Sequence, residues 1–112
     1  MEALDVFTVK DLGQRADELL RAAEQGRLSL ITKDGRPAFL AVPFDGRLLD
    51  LGIHRTVAVH LFESGQTTLS QGARLAGISM EEFMKILGQL GIPVVNYPPE
   101  DLERELEVLR TR

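Results

Sequence analysis

Cysteine and tryptophan are absent from the 112 residues, and histidine is limited to His54 and His60. Without cysteine there is no disulfide framework, no thiolate nucleophile and no Cys-based zinc or iron–sulfur site, a pattern that fits a reducing compartment. A hydrolase would need a nucleophile beside a base, or a metal held by several His, Asp or Glu, and no such convergence is visible. His60, with apolar neighbours at helical spacing, reads as a structural residue. We therefore expect no catalytic residue, no metal, no cofactor and no enzymatic activity. No apolar run approaches the ~20 residues that span a bilayer, and Met1-Glu-Ala-Leu-Asp5 is no signal peptide. A cytoplasmic protein without a membrane partner is the expectation. An excess of basic charge is missing too: Lys and Arg total 13 against 17 Asp and Glu, a net charge of −4. Any nucleic-acid contact must come from a local patch. With five Phe and no Trp the core is mainly aliphatic, and two halves of ~50 residues would each be marginal alone. Dimerisation follows as an expectation.

What is present reads as α+β. Leu4–Val9 is strand-like, with Leu4, Val6 and Thr8 on one side. A helix follows, capped by Thr8 or Asp11, with Leu12, Ala16, Leu19, Leu20 and Ala23 along one stripe and Gly26 as its stop. Leu28–Thr32 and Pro37–Pro43, joined through Lys33-Asp34-Gly35-Arg36, read as a hairpin in which Gly35 takes a positive φ. Pro37 and Pro43 bracket the second strand, as suits an edge or strand-end position. Residues 44–53 shift in composition and are taken as a joint between two units, 1–43 and 54–97. Beyond it, Thr56–Ser64 is helical, with Val57, His60, Leu61 and Ser64 on one face. Thr68 or Ser70 caps a helix over Gln71–Ala76, and Gly77 breaks it. Ser79-Met-Glu-Glu82 has the form of a capping box opening a helix with Phe83, Ile86, Leu87 and Leu90 buried. Ile92–Tyr97 reads as a short strand. Pro98-Pro99 then sets off an acidic tail, 98–112, whose Leu102, Leu106 and Leu109 make one stripe.

Three groups of side chains could bind a partner. Gln71–Leu90 has the form of a helix-turn-helix, with Ala73 at the crossing, Gly77 at the turn and Ile78, Phe83 and Ile86 fixing the angle. A recognition helix presents its N-terminal residues to bases, and here those are Ser79, Met80, Glu81 and Glu82, of which two repel phosphate. Arg74 and Lys85 are additional DNA contacts if the unit does not serve oligomerisation instead. Lys10 and Arg15 on the first helix, with Lys33 and Arg36 in the hairpin turn, form the better basic constellation. In the tail, Glu100, Asp101, Glu103, Glu105 and Glu107 spread over several helix faces, which suits a solvated or partner-facing surface better than a metal site. A ~12-residue helix with one leucine stripe is barely stable in water and needs a surface to dock on.

The segment Phe7-Thr-Val-Lys-Asp-Leu-Gly-Gln-Arg15 through Gly26, followed by Leu30-Ile-Thr-Lys-Asp-Gly-Arg-Pro-Ala-Phe-Leu-Ala-Val-Pro43, resembles the Phd/YefM antitoxins. That resemblance implies an α/β dimerisation and operator-binding unit in which Lys10, Arg15, Lys33 and Arg36 face DNA. Gly13 stands where the family often has Arg. Residues 54–110, with Leu61-Phe-Glu-Ser-Gly65, Leu75-Ala-Gly-Ile-Ser79, Glu82-Phe83, Gly91-Ile-Pro-Val-Val-Asn-Tyr97 and Glu100-Asp-Leu102, are similar to a family of small uncharacterised prokaryotic proteins, predicted antitoxins commonly encoded beside a PIN-like ribonuclease. Jointly the two resemblances imply a type II antitoxin that represses its own operon and neutralises a protein toxin, a PIN-like ribonuclease first and a RelE-like toxin second. Tyr97, Leu102, Leu106 and Leu109 would anchor in apolar pockets of the toxin while Glu103 and Glu107 meet its basic residues. The rival expectation is a dimeric interaction adaptor or transcriptional regulator with no toxin. Dimer or tetramer stays open, since a second apolar surface in the helical half could pair dimers.

Overall fold

The computed structural model describes residues 4–94, and the architecture is α+β. Strand β1 (Asp5–Thr8) leads through α1 (Asp11–Gln14) and α2 (Ala16–Glu24) to β2 (Ser29–Lys33) and β3 (Arg36–Ala41); α3 (Gly46–Leu51), α4 (Ile53–Glu63), α5 (Leu69–Ala76) and α6 (Met80–Gln89) follow. The expected tail helix and the end of the expected strand at Ile92–Tyr97 lie outside the described residues, and Ile92–Val94 are not in a strand.

The sheet has the order β1-β2-β3, with β1 parallel and β3 antiparallel to the central β2. Antiparallel neighbours can share a two-residue turn, whereas parallel ones need a crossover, here α1 and α2. Asp34 and Gly35, at φ 53 and 77, both adopt the left-handed conformation that a tight hairpin of matching twist requires. Between the pairs Ile31–Phe39 and Thr32–Pro37 the register slips, so Ala38 is an extra residue on β3. Such a bulge beside a proline is tolerated on an edge strand, the place expected for Pro37.

The expected first helix is broken at Arg15, whose φ of −121° and ψ of 29° leave the helical region and divide it into α1 and α2. Thr8 and Asp11 cap it jointly: Thr8 N donates to Asp11 Oδ2 at 2.8 Å and Asp11 N to Thr8 Oγ1 at 3.2 Å. Gly26, at φ 76, ends α2 as expected. The leucine stripe is not the buried one. Ala22 is the buried residue of α2, Ala16 and Leu20 are exposed, and Leu12, Leu19 and Ala23 are half-buried.

Residues 44–53 are more than a joint, for they hold α3. Asp45 caps it by accepting from Leu48 N at 3.1 Å. Helix α4 is turned relative to the expected face: Thr56, Ala58, Val59 and His60 are buried, and Thr56 Oγ1 donates to the Arg47 carbonyl at 3.3 Å. Thr68 and Gln71 exchange both bonds of a capping box at the head of α5, while Ser79 Oγ accepts from Glu82 N at the head of α6. Gly77, at φ 74, makes the turn between them. The main core lies in this helical half, where Val59, Leu69, Met80, Phe83 and Leu87 are each essentially inaccessible. Phe62 meets Phe83 edge to face, with ring centroids 6.0 Å apart. Beside the buried Ala73, Gly72 also sits at the crossing: a Cβ there would lie 2.7 Å from Phe83 Cε2. The sheet unit is thinner, burying Phe7, Ala22, Leu28 and Ile31.

Candidate functional site

The topology gathers three cations at one end of the sheet. Because β1 runs parallel to β2 with Thr8 beside Thr32, and Val9 N donates to the Thr32 carbonyl at 2.9 Å, Lys10 and Lys33 leave neighbouring strands at the same level. Across the hairpin, Lys33 is the register partner of Arg36. All three are exposed, and none makes an ion pair with a described residue. Like charges tolerate this proximity where water solvates them, and an incoming anion relieves their repulsion.

Arg15, the fourth expected cation, is placed differently. Its guanidinium lies 4.7 Å from the centroid of the Phe7 ring and pairs with Glu18 at 2.7 Å and Asp11 at 3.2 Å. These carboxylates, Glu18 foremost, raise the Arg15 pKa further. The Asp11 carboxyl is held below its ordinary value first by the Thr8 backbone N–H, with Arg15 a smaller contributor. Arg15 thus joins β1 to both helices, and two carboxylates already satisfy its charge.

In the helical half, Arg74 on α5 and Lys85 on α6 are exposed. Glu81 and Glu82 also lie at the surface near the head of α6, while Met80 is 1% exposed and belongs to the core rather than to a base-reading surface. Tyr97, Leu102, Glu103, Leu106, Glu107 and Leu109 lie outside the described residues.

Apolar surface accompanies the cations. Leu20 is 59% exposed and Phe39 51%, and a groove of about 240 Å³ between α2 and the hairpin is lined by Ala16, Leu19, Leu20, Ala23, Ala41 and Val42. Ser29 Oγ, buried at its base, has no hydrogen-bond partner among the described residues. Phe44, Leu49 and Ile53, around α3, are exposed as well. The sequence reading missed this: an apolar stripe at helical spacing looks the same whether it faces its own core or a partner.

Residues 41–111, from the end of β3 through the helical half and beyond, match an uncharacterised protein family, UPF0175. The chain belongs to UPF0175. That match takes in the whole stretch whose pattern is similar to small uncharacterised prokaryotic proteins, and it leaves residues 1–40 outside. A protein of Aeropyrum pernix named UPF0175 protein is 37% identical over 54 residues, which are 48% of this chain and 60% of that protein. The similarity thus spans less than two thirds of the relative's length. No solved structure matches the chain. Among the described residues no helix is long and apolar enough to cross a membrane.

Proposed function

We propose that this UPF0175 member is the antitoxin of a type II toxin–antitoxin pair, a dimeric autorepressor whose N-terminal unit, 1–43, binds operator DNA and whose segment from Tyr97 to Leu109 binds a protein toxin, a PIN-like ribonuclease before a RelE-like one. The observation that carries the DNA part is the convergence of Lys10, Lys33 and Arg36 at one end of the sheet, exposed and without ion-pair partners among the described residues. Three cations per chain in a dimer reach about six phosphates, enough for affinity to fall about 10³-fold between about 50 and about 200 mM salt. The acidic net charge does not oppose this, because only the local field at the contact acts within the screening length. Dimerisation is supported by the exposed Leu20 and Phe39 beside the groove and by the thin core of the sheet unit. Phd/YefM likeness supports the same assignment for residues 1–43. Arg74 and Lys85 are accessory contacts in this reading.

The experiment has two arms. Full-length protein titrated onto fluorescent DNA from its own promoter should bind with the steep salt dependence given above. The triple variant Lys10→Ala, Lys33→Ala, Arg36→Ala should lose specific binding. Expression of the adjacent gene alone should arrest growth, and co-expression should restore growth in a co-purifying complex that a chain cut after Asn96 fails to form. Absence of promoter-specific binding at low salt removes the repressor; a harmless neighbour that does not co-purify removes the antitoxin. A second reading, a dimeric interaction adaptor or regulator without a toxin, is favoured by the exposed Phe44, Leu49 and Ile53 around α3.

A further inference from the structure

The sheet unit and the helical half meet at a seam with a histidine inside it. His60, on α4, is 4% exposed, and its Nε2 has no hydrogen-bond partner among the described residues. It borders a small cleft of about 20 Å³, partly open to solvent and lined by Leu4, Gly26 and Leu28 on one side and by His60, Glu63 and Ser64 on the other. That volume holds about one water molecule. A buried imidazole nitrogen without a protein partner is tolerated far better while the ring is neutral; a second proton puts a full charge where burial disfavours it.

The charged groups facing this ring come from every element around it. Arg47 of α3 and Asp45 at its cap approach from one direction, Glu63 follows on α4 itself, and Arg27, just before β2, lines the cleft. The anions are largely engaged. Glu63 lies 3.5 Å from Arg47, Asp5 of β1 lies 2.7 Å from Arg27, and Asp45 accepts from the first turn of α3. Burial first, and Arg47 second, disfavour the protonated ring, with Glu63 and Asp45 opposing.

We propose that the His60 seam is a proton-operated latch, closed when the imidazole is neutral and opened when it is protonated, so that acidification uncouples the sheet unit from the helical half. The sign follows from linkage. Protons bind better to the open seam, so closure is unimpaired above the ordinary histidine pKa of about 6.5 and weakens as pH falls below it, levelling off once the closed form is protonated too. The link between the two units runs through α3, which ends at Gly52, at φ 82, a conformation that glycine takes without strain. The latch is independent of what the chain binds.

The absence of native cysteine makes the test direct, since two spin labels can be placed without background. With Glu24→Cys on α2 and Gln89→Cys on α6, both exposed, the full chain should give one inter-label distance at pH 7.5 and a second, longer population at pH 5. His60→Gln, a polar side chain that takes no proton, should hold the pH 7.5 distribution at both values, whereas His54→Gln, at an exposed position, should behave as the parent. Arg47→Gln discriminates the latch from mere packing: it removes a facing cation and frees Glu63 to pair the imidazolium, so the longer population at pH 5 should shrink. One distance at both pH values in the parent, or a pH 5 population that survives in His60→Gln, would overturn the proposal. If His60→Gln fails to fold, by circular dichroism, the Arg47→Gln result decides alone: an unchanged or enlarged long-distance population there also overturns it.

Discussion

Arg15 shows how a residue type can be legible while its role is not. Its position along the first helix is readable from sequence, but which neighbours a guanidinium meets depends on where Phe7, Asp11 and Glu18 fall in space. In the fold they engage it, ring on one side and carboxylates on the other, with the side chain still 42% exposed. Lys33, in the hairpin turn, has no such partners among the described residues. Within the proposed operator reading, Lys33→Ala should therefore lower the salt slope of DNA binding by about 2 in a dimer, about one per lost phosphate contact, while Arg15→Ala leaves the slope nearly unchanged. Fluorescence anisotropy titrations at several salt concentrations separate the two. Met80 carries the same lesson in reverse. As the first residue after a predicted cap it reads as surface, yet it is among the least accessible side chains, because it packs into the core that α5 and α6 share.

At the scale of elements, local chemistry was the most readable layer. Asp34-Gly35 specified its hairpin, Gly26 and Gly77 their helix ends, and Ser79 its cap, since each acts on backbone within a few residues. The misreadings have a common cause: the rotation of a helix about its axis is set by what it packs on, and spacing alone leaves it undetermined. Helix α4 turns Thr56 inward because the Arg47 carbonyl is there to accept its hydroxyl, and α2 leaves Leu20 outside. Gly72 is another position that only three dimensions disclose. Its missing side chain lets α5 lie against the Phe83 ring, and Phe83 is fully buried with Phe62 against it, so the ring has little room to yield. Gly72→Ala should destabilise the chain by about 1–3 kcal/mol through overpacking, despite the better helix propensity of alanine. Urea denaturation of the variant against the parent measures this.

For the whole molecule, the α+β class and the division of character between a sheet-bearing beginning and a helical remainder were readable from element order. The proposed interaction surfaces were less so, because an exposed face and a buried one use the same residues. Among the described residues the sheet unit buries Phe7, Ala22, Leu28 and Ile31 while leaving Leu20, beside the groove, and Phe39 exposed, and the helical half fully buries Phe83, Leu69 and Leu87. If the proposed dimer forms there, Leu20→Glu together with Phe39→Glu should convert the protein to a monomer in sedimentation experiments, with the helical half still folded by circular dichroism. An unchanged sedimentation coefficient would place the association elsewhere.

The inequality of the two cores then bears on how the chain responds to its own abundance. A unit that keeps its shape by closing on itself is indifferent to dilution, while one completed by a second copy gains stability with every increase in concentration. On the proposed pairing, scarcity loosens the first forty residues and leaves the remainder intact. On that pairing, for about a third of this chain, being folded is a property of the population rather than of the single molecule.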